Sequence, residues 1–297
     1  MLDRESTLAD PAIVKMLKSD FIPVAFDQWY LRQQDDAEGE FYRKIANQGP
    51  RHDVDSTTQG FYITDAAGRL HAFNNNRGPQ RIRNLLEKTL QDFDPPKTSA
   101  IDDGEKDPKY SRNLPAGAVV VRVNGKVLGG YDEPKNEWQS IFHTAISRDN
   151  FWLLADEQKA LSEGHIPESM IKRIARFHLV DNTRGEPTMW IQTDMREIKT
   201  KLLADGTMLG NFRMETNDSA RGFVGQIRGK IGFATSGEIQ MFDVVASGQY
   251  WGDGRYTRNG PKGKFPFAVA FRLADGNDVA DSLPPQGTKG WLEGYYR

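Results

Sequence analysis

The chain has 297 residues, 39 Lys and Arg against 41 Asp and Glu for a formal net charge of −2, and no cysteine. The missing thiols exclude disulfides, Cys zinc sites, iron–sulfur clusters, thiolate nucleophiles and CxxC redox pairs within these residues. Near-neutral charge gives no broad footprint for nucleic acid, and no apolar run approaches the roughly 18–20 residues of a membrane span.

A length near twice the prior of ~150 residues per domain, with 38% hydrophobic residues, suits two domains. Asp10-Pro11 reads as a helix start, Asp capping the first free N–H groups and Pro occupying a position whose N–H would be unpaired anyway. Phe21 to Phe26 (FIPVAF) is almost wholly apolar and predicts a strand buried on both faces. Glu38 to Asn47 follows as a helix stopped by Gly49-Pro50. Gly60 to Thr64 and Leu70 to Phe73 form a hairpin across an Asp65 to Gly68 turn, and Ile82, Leu85, Leu86, Leu90 and Phe93 recur at helical spacing. Helix, strand, helix, hairpin, helix makes a compact α/β domain over 1–94.

Residues 95–117, rich in Asp, Lys, Pro and Ser, read as a linker. In the second domain, 118–297, Asn124-Gly125 between two β-rich runs predicts a hairpin, because both turn positions favour positive φ. Helices are expected over Asp149 to Ser162, with Arg148-Asp149-Asn150 as its cap, and from Pro167 to about Leu179. Beyond Pro187 the texture becomes β, and more than half of the 28 glycines lie past residue 200. Strands are expected at Met189–Leu202, Met208–Met214, Phe223–Phe233, Ile239–Val245 and Phe265–Leu273. Phe223, Gly225, Ile227, Gly229, Ile231 and Phe233 share one face, and large–small alternation suits a strongly curved sheet. The expected fold is an α+β domain with an antiparallel meander of about five strands, either a partly open barrel or a sandwich half, with two helices packed on it.

The stretch Glu5-Ser6, Asp10-Pro11, Val14, Leu17, Phe21 and Asp27, followed by the Gly60 strand and the Asp65 to Gly68 turn, resembles the thioredoxin-like fold. The resemblance covers about the first third of the chain. It implies a central sheet flanked by helices, a site at the start of the first helix, a cis-proline opposite it, and the thiol-disulfide oxidoreductase activity of periplasmic relatives. From those relatives comes the expectation of a periplasmic or secreted location. The sequence departs from the pattern twice. The family's cysteines would fall immediately upstream of Asp3 to Ser6, and Thr57, Thr58 and Gln59 stand where the cis-proline would be. The expected function is therefore redox-inactive binding or scaffolding of a protein or small-molecule ligand, with Ser6, Thr58 and Gln59 marking the former cleft. One alternative is an oxidoreductase whose CxxC lies upstream of residue 1.

A second alternative is a hydrolase or lyase in the second domain. His178, Asp181, Arg184 and Glu186 crowd a short run after the second helix there, where a His beside carboxylates suits general acid–base work and an Arg suits an anion clamp. Ordinary turn chemistry and an ion pair explain the same residues. Tyr250, Trp251 and Tyr256, set among glycines, are candidates for stacking on a ligand, or rings folded back on the sheet. Histidines 52, 71, 143, 165 and 178 show no HxH, HxxxH or HExxH spacing, so neither a metal nor another cofactor is expected.

Overall fold

The computed structural model describes residues 7–53, 55–76, 78–96, 104–107, 109–110, 112–289 and 292–296. The chain divides into two units at residues 111 and 112. In the first, helix α1 (Pro11–Ser19) starts where Asp10 Oδ1 accepts from the Ala12 and Ile13 N–H groups. A short turn α2 (Gln28–Leu31), helix α3 (Ala37–Ala46), the antiparallel hairpin β1 (Phe61–Thr64) and β2 (Leu70–Asn74), and helix α4 (Pro79–Asp92) follow. Ile13, Ile82 and Leu86 form one small core, with Phe21, Phe61 and Ile63 against it. The hairpin turn closes on Asp65, whose Oδ1 accepts from Ala67 N and Arg69 N.

The FIPVAF strand is not a strand. Among the described residues nothing pairs with it, and Ile22, Val24 and Phe26 are 91%, 62% and 53% exposed. The apolar run misled because, among the described residues, no neighbouring strand is there to bury it. Among the described residues this unit's only sheet is the two-stranded hairpin. The linker is shorter than 95–117. Asp107 N–H donates to Asp36 Oδ2 at 2.8 Å, Asp35 N–H donates to Asp107 Oδ2 at 3.1 Å, and Tyr110 meets Trp29 and Tyr30 edge-on, so Asp107 and Tyr110 pack as part of the first unit.

The second unit is a curled antiparallel half-barrel of seven strands in the order β4-β3-β9-β8-β7-β6-β5. Its strands are β3 (Val119–Val127), β4 (Asp149–Leu153), β5 (Met195–Leu202), β6 (Thr207–Glu215), β7 (Gly222–Phe233), β8 (Ile239–Trp251) and β9 (Lys264–Leu273). The last five run as a meander, and β3 and β4 extend it at the β9 side. Helices α5 (Glu137–Thr144), α6 (Ala155–Ser162) and α7 (Glu168–His178) and the terminal α8 (Leu292–Tyr296) accompany it. Met170, Ile171, Ile174, Ala175 and Phe177 of α7 join one core with Phe212, Phe223, Phe242, Phe267 and Phe271 from the inner sheet face.

Three local expectations fail in the same region. Asn124-Gly125 lies inside β3, where Gly125 pairs with Val269 and a Cβ on it would sit 2.8 Å from Ser147 Oγ. Asn124 Nδ2 donates to Ser147 O, so the pair serves close packing rather than a turn. Residues 149–153 form β4 instead of the first turns of a helix, because Phe151 and Leu153 are β-rich core residues that pair with Val121 and Val119. Arg148-Asp149-Asn150 is consequently no helix cap. The strand expected from Met189 begins only at Met195, after a 3₁₀ turn at Gln192–Asp194.

The curl requires missing side chains. A Cβ on Gly225 would lie 2.2 Å from Ser247 O and 2.9 Å from the Phe212 ring, and one on Gly248 would lie 2.0 Å from Val224 O. Gly248→Ala is expected to destabilise the protein by about 1–3 kcal/mol, the ordinary cost of overpacking. Gln249→Ala, on the exposed face, should stay within about 0.5 kcal/mol. Urea denaturation of the two variants measures the difference.

Candidate functional site

The four residues His178, Asp181, Arg184 and Glu186 do not converge. His178, at the end of α7, turns into the core. Its Nε2 shares a 2.9 Å hydrogen bond with Tyr295 Oη, and its Nδ1 lies 3.2 Å from Asp149 Oδ2, close enough for charge pairing but out of line for a hydrogen bond. Burial raises the Tyr295 hydroxyl well above its ordinary pKa, so it stays protonated. One turn earlier, Arg173 donates to Glu157 Oε2 at 2.6 Å and to Trp152 O at 2.9 Å, and stacks over Phe151 and Tyr295. Glu157 Oε2 also accepts from Leu154 N–H at the start of α6.

Asp181 and Arg184 form a second, separate knot. Arg184 Nε and Nη2 donate to Asp181 Oδ2 at 2.9 and 2.7 Å, and Nη1 donates to Asp253 Oδ1 at 2.6 Å and to the Thr257 carbonyl. Asp181 Oδ1 accepts from Thr183 N–H and Oγ1. Burial alone would lower the Arg184 pKa, but the Asp181 charge and the hydrogen bonds from Asp253 and Asp181 outweigh it and raise it. Every donor of the guanidinium that points at a carboxylate is taken, and the pair bridges the turn after α7 to the loop after β8. Glu186 stands outside, exposed and 3.0 Å from Lys289 Nζ.

The remaining candidates separate as clearly. Ser6 lies outside the described residues. Thr58 is fully buried, its hydroxyl 2.6 Å from Tyr42 Oη and its N–H donating to Gln28 Oε1, so it cannot touch a ligand, whereas Gln59 is exposed. Tyr250 is 1% exposed, its ring packed among Trp190, Phe223, Phe265 and Phe267, which removes it as a stacking platform. Trp251 lies half-buried on the outer sheet face, its Nε1 donating to Ser219 O at 2.9 Å and Lys264 Nζ 4.5 Å from its ring centroid. Tyr256 alone of the three is freely exposed, at 57%. Among the described residues no three His, Asp or Glu side chains come together as metal ligands.

A concave surface occurs where sequence reading placed none. A groove of about 280 Å³ crosses β5, β6 and β7, lined by Lys199, Lys201, Leu209, Asn211, Gln226 and Arg228 with the backbone of Thr200, Gly210 and Ile227. The side chains share the outer face, since Ile198, Phe212 and Ile227 face the core. Pairing aligns them in two rows. Lys199, Asn211, Gln226 and Ser247 form one, and Lys201, Leu209, Arg228 and Val245 the next. Arg228 Nη2 donates to Gln226 Oε1 at 2.9 Å, and Lys199 contacts Glu197 at 2.7 Å, whose carboxyl is held below its ordinary pKa first by that hydrogen bond and then by the lysine charge. Each strand supplies one or two polar residues, so the cluster is invisible until the register is known.

The buried pairs predict stability effects. Arg184→Met strands Asp181 in the interior and should cost about 3–5 kcal/mol, while Asp181→Leu with Arg184→Met recovers much of it, both read from urea curves. A third carboxylate, Asp281, accepts from Arg122 and Arg148 and is held below its ordinary pKa, first by the Arg122 hydrogen bond and against the opposing effect of burial. A depressed carboxyl contributes stability that is present above the unfolded value, about 3.9, and lost as pH falls through the lower folded value. Asp281→Asn should therefore lower Tm at neutral pH, and its difference from the parent should shrink as pH falls below about 4. Against known proteins, no family model, curated protein or solved structure matches the chain.

Proposed function

We propose that this chain is a non-catalytic binding protein, a redox-inactive thioredoxin-like unit joined to a half-barrel that carries the ligand surface. The observation that carries the reading is the fate of the acid–base residues. His178, Asp181 and Arg184 are buried and bound to different parts of the fold, His178 to Tyr295 and Arg184 to Asp181 and Asp253. Catalysis by them would require substrate to reach groups already desolvated and paired, against the geometric requirement that a catalytic group meet the reacting atom. The outer groove offers the opposite situation, with exposed donors, an open approach and no acid–base pair.

The thioredoxin-like element of the proposal is supported by element order. α1, α3, the β1–β2 hairpin and α4 follow one another in the order the resemblance implies, without the strand expected between α1 and α3. The residues given contain no thiol to carry electrons, which favours binding over disulfide exchange.

The protein should leave insulin disulfides intact in a turbidity assay and show no turnover of chromogenic esters, phosphoesters or glycosides above the uncatalysed rate. Turnover that disappears in His178→Gln or Asp181→Asn variants that remain folded by circular dichroism would replace the binding reading with the hydrolase or lyase one.

A further inference from the structure

Resting on the binding reading, we infer that the outer groove of the half-barrel takes an acidic polysaccharide, laid across β5, β6 and β7 toward β8. The spacing comes from the sheet. Residues in register on neighbouring strands stand about 4.8 Å apart, close to the length of one sugar ring in an extended chain, and rows two residues apart along a strand are separated by about 6.8 Å. The first row offers Lys199, Asn211, Gln226 and Ser247 to hydroxyls. The second offers Lys201 and Arg228 to carboxylate or sulfate, with Leu209 between them and Val245 beyond Arg228 against the apolar face of a ring. A polymer that alternates hydroxyls and anionic groups along its length meets both rows at once.

Charge complementarity selects an anionic occupant. Three cations and no carboxylate line the groove. Glu197, beside it, is engaged by Lys199 in an exposed pair of the kind worth at most about 1 kcal/mol, so a ligand carboxylate exchanges with it at little cost. The same lining argues against single-stranded nucleic acid, since no aromatic ring stands in the groove to stack a base. A free phosphate ion is a poor fit because the cations are exposed and spread over three strands rather than gathered in a buried cradle.

The test is calorimetric titration of the full chain with polygalacturonate, chondroitin sulfate, dextran and a single-stranded DNA oligonucleotide at low and at physiological salt. Binding is expected to one or both acidic glycans, the carboxylate and sulfate arms telling which anion is preferred, and none to dextran. Lys201→Glu with Arg228→Glu should weaken it at least about tenfold. Asn211→Ala with Gln226→Ala should weaken it several-fold without changing its salt dependence, a response a plain polyanion sink would not give. Circular dichroism should find both double variants folded. Absence of acidic-glycan binding, equal or tighter binding of DNA, or indifference to the Asn211 and Gln226 changes would overturn the inference. The binding reading fails separately, through turnover in the activity assays that survives the groove substitutions.

Discussion

The second unit depends on wrapping a seven-stranded sheet around one helix. α7 fills the concavity with Met170, Ile171, Ile174 and Phe177, and the sheet answers with a layer of phenylalanines. A flat sheet would leave much of α7 in water, and the hydrophobic term that drives the unit together scales with the apolar area removed from it. The curl in turn rests on places where the backbones of β7 and β8 approach too closely for a Cβ, at Gly225, Gly229 and Gly248. Glycine is unfavourable in a strand for its entropy and lost packing. Here that local cost is offset by the burial of a whole helix face.

With the concave side filled, charged residues have two destinations. Some fasten elements to one another: Arg173 and Arg184, both buried, join α7 to α6 and β4 and the turn after α7 to the loop after β8, while the partly exposed Arg122 and Arg148 hold the segment around Asp281 against β3 and β4. Arginine suits this work because its planar fork satisfies several acceptors from one side chain. The others remain on the convex face, ordered by strand register into rows. Charge that fastens the fold and charge left on the convex face thus differ in their partners and burial, not in residue type.

The legible part of the sequence was its periodicity. Alternation in Phe223–Phe233 gave both the strand and its inward face, and the glycines on that face gave the curvature. Helices with good caps, such as the Asp10-Pro11 start, were equally plain. What was not legible depended on contacts far along the chain. Asn124-Gly125 carries a strong local turn signal, overridden because Ser147 and Phe267 occupy the space beside a straight strand. Residues 149–153 look helical until their pairing with β3 is known. The polar run after α7 appeared as one constellation, because sequence shows nearness along the chain and hides that His178 and Arg184 point to different partners. The groove was hidden for the converse reason, its members coming from three strands and joined only by register.

Among the described residues the strand β5 has a partner on one side only, β6, and so forms an open edge of the half-barrel. An edge strand invites pairing with another chain unless charge, proline or covering structure discourages it. Lys199 and Lys201 project from this edge strand into solvent, so two of the three cations of the groove also keep the sheet from growing by one more strand. Neutralising them therefore removes a guard against self-association as well as a charge from the groove, whereas reversing the sign keeps the edge charged. A change at either lysine therefore acts on the sheet edge and on the groove together.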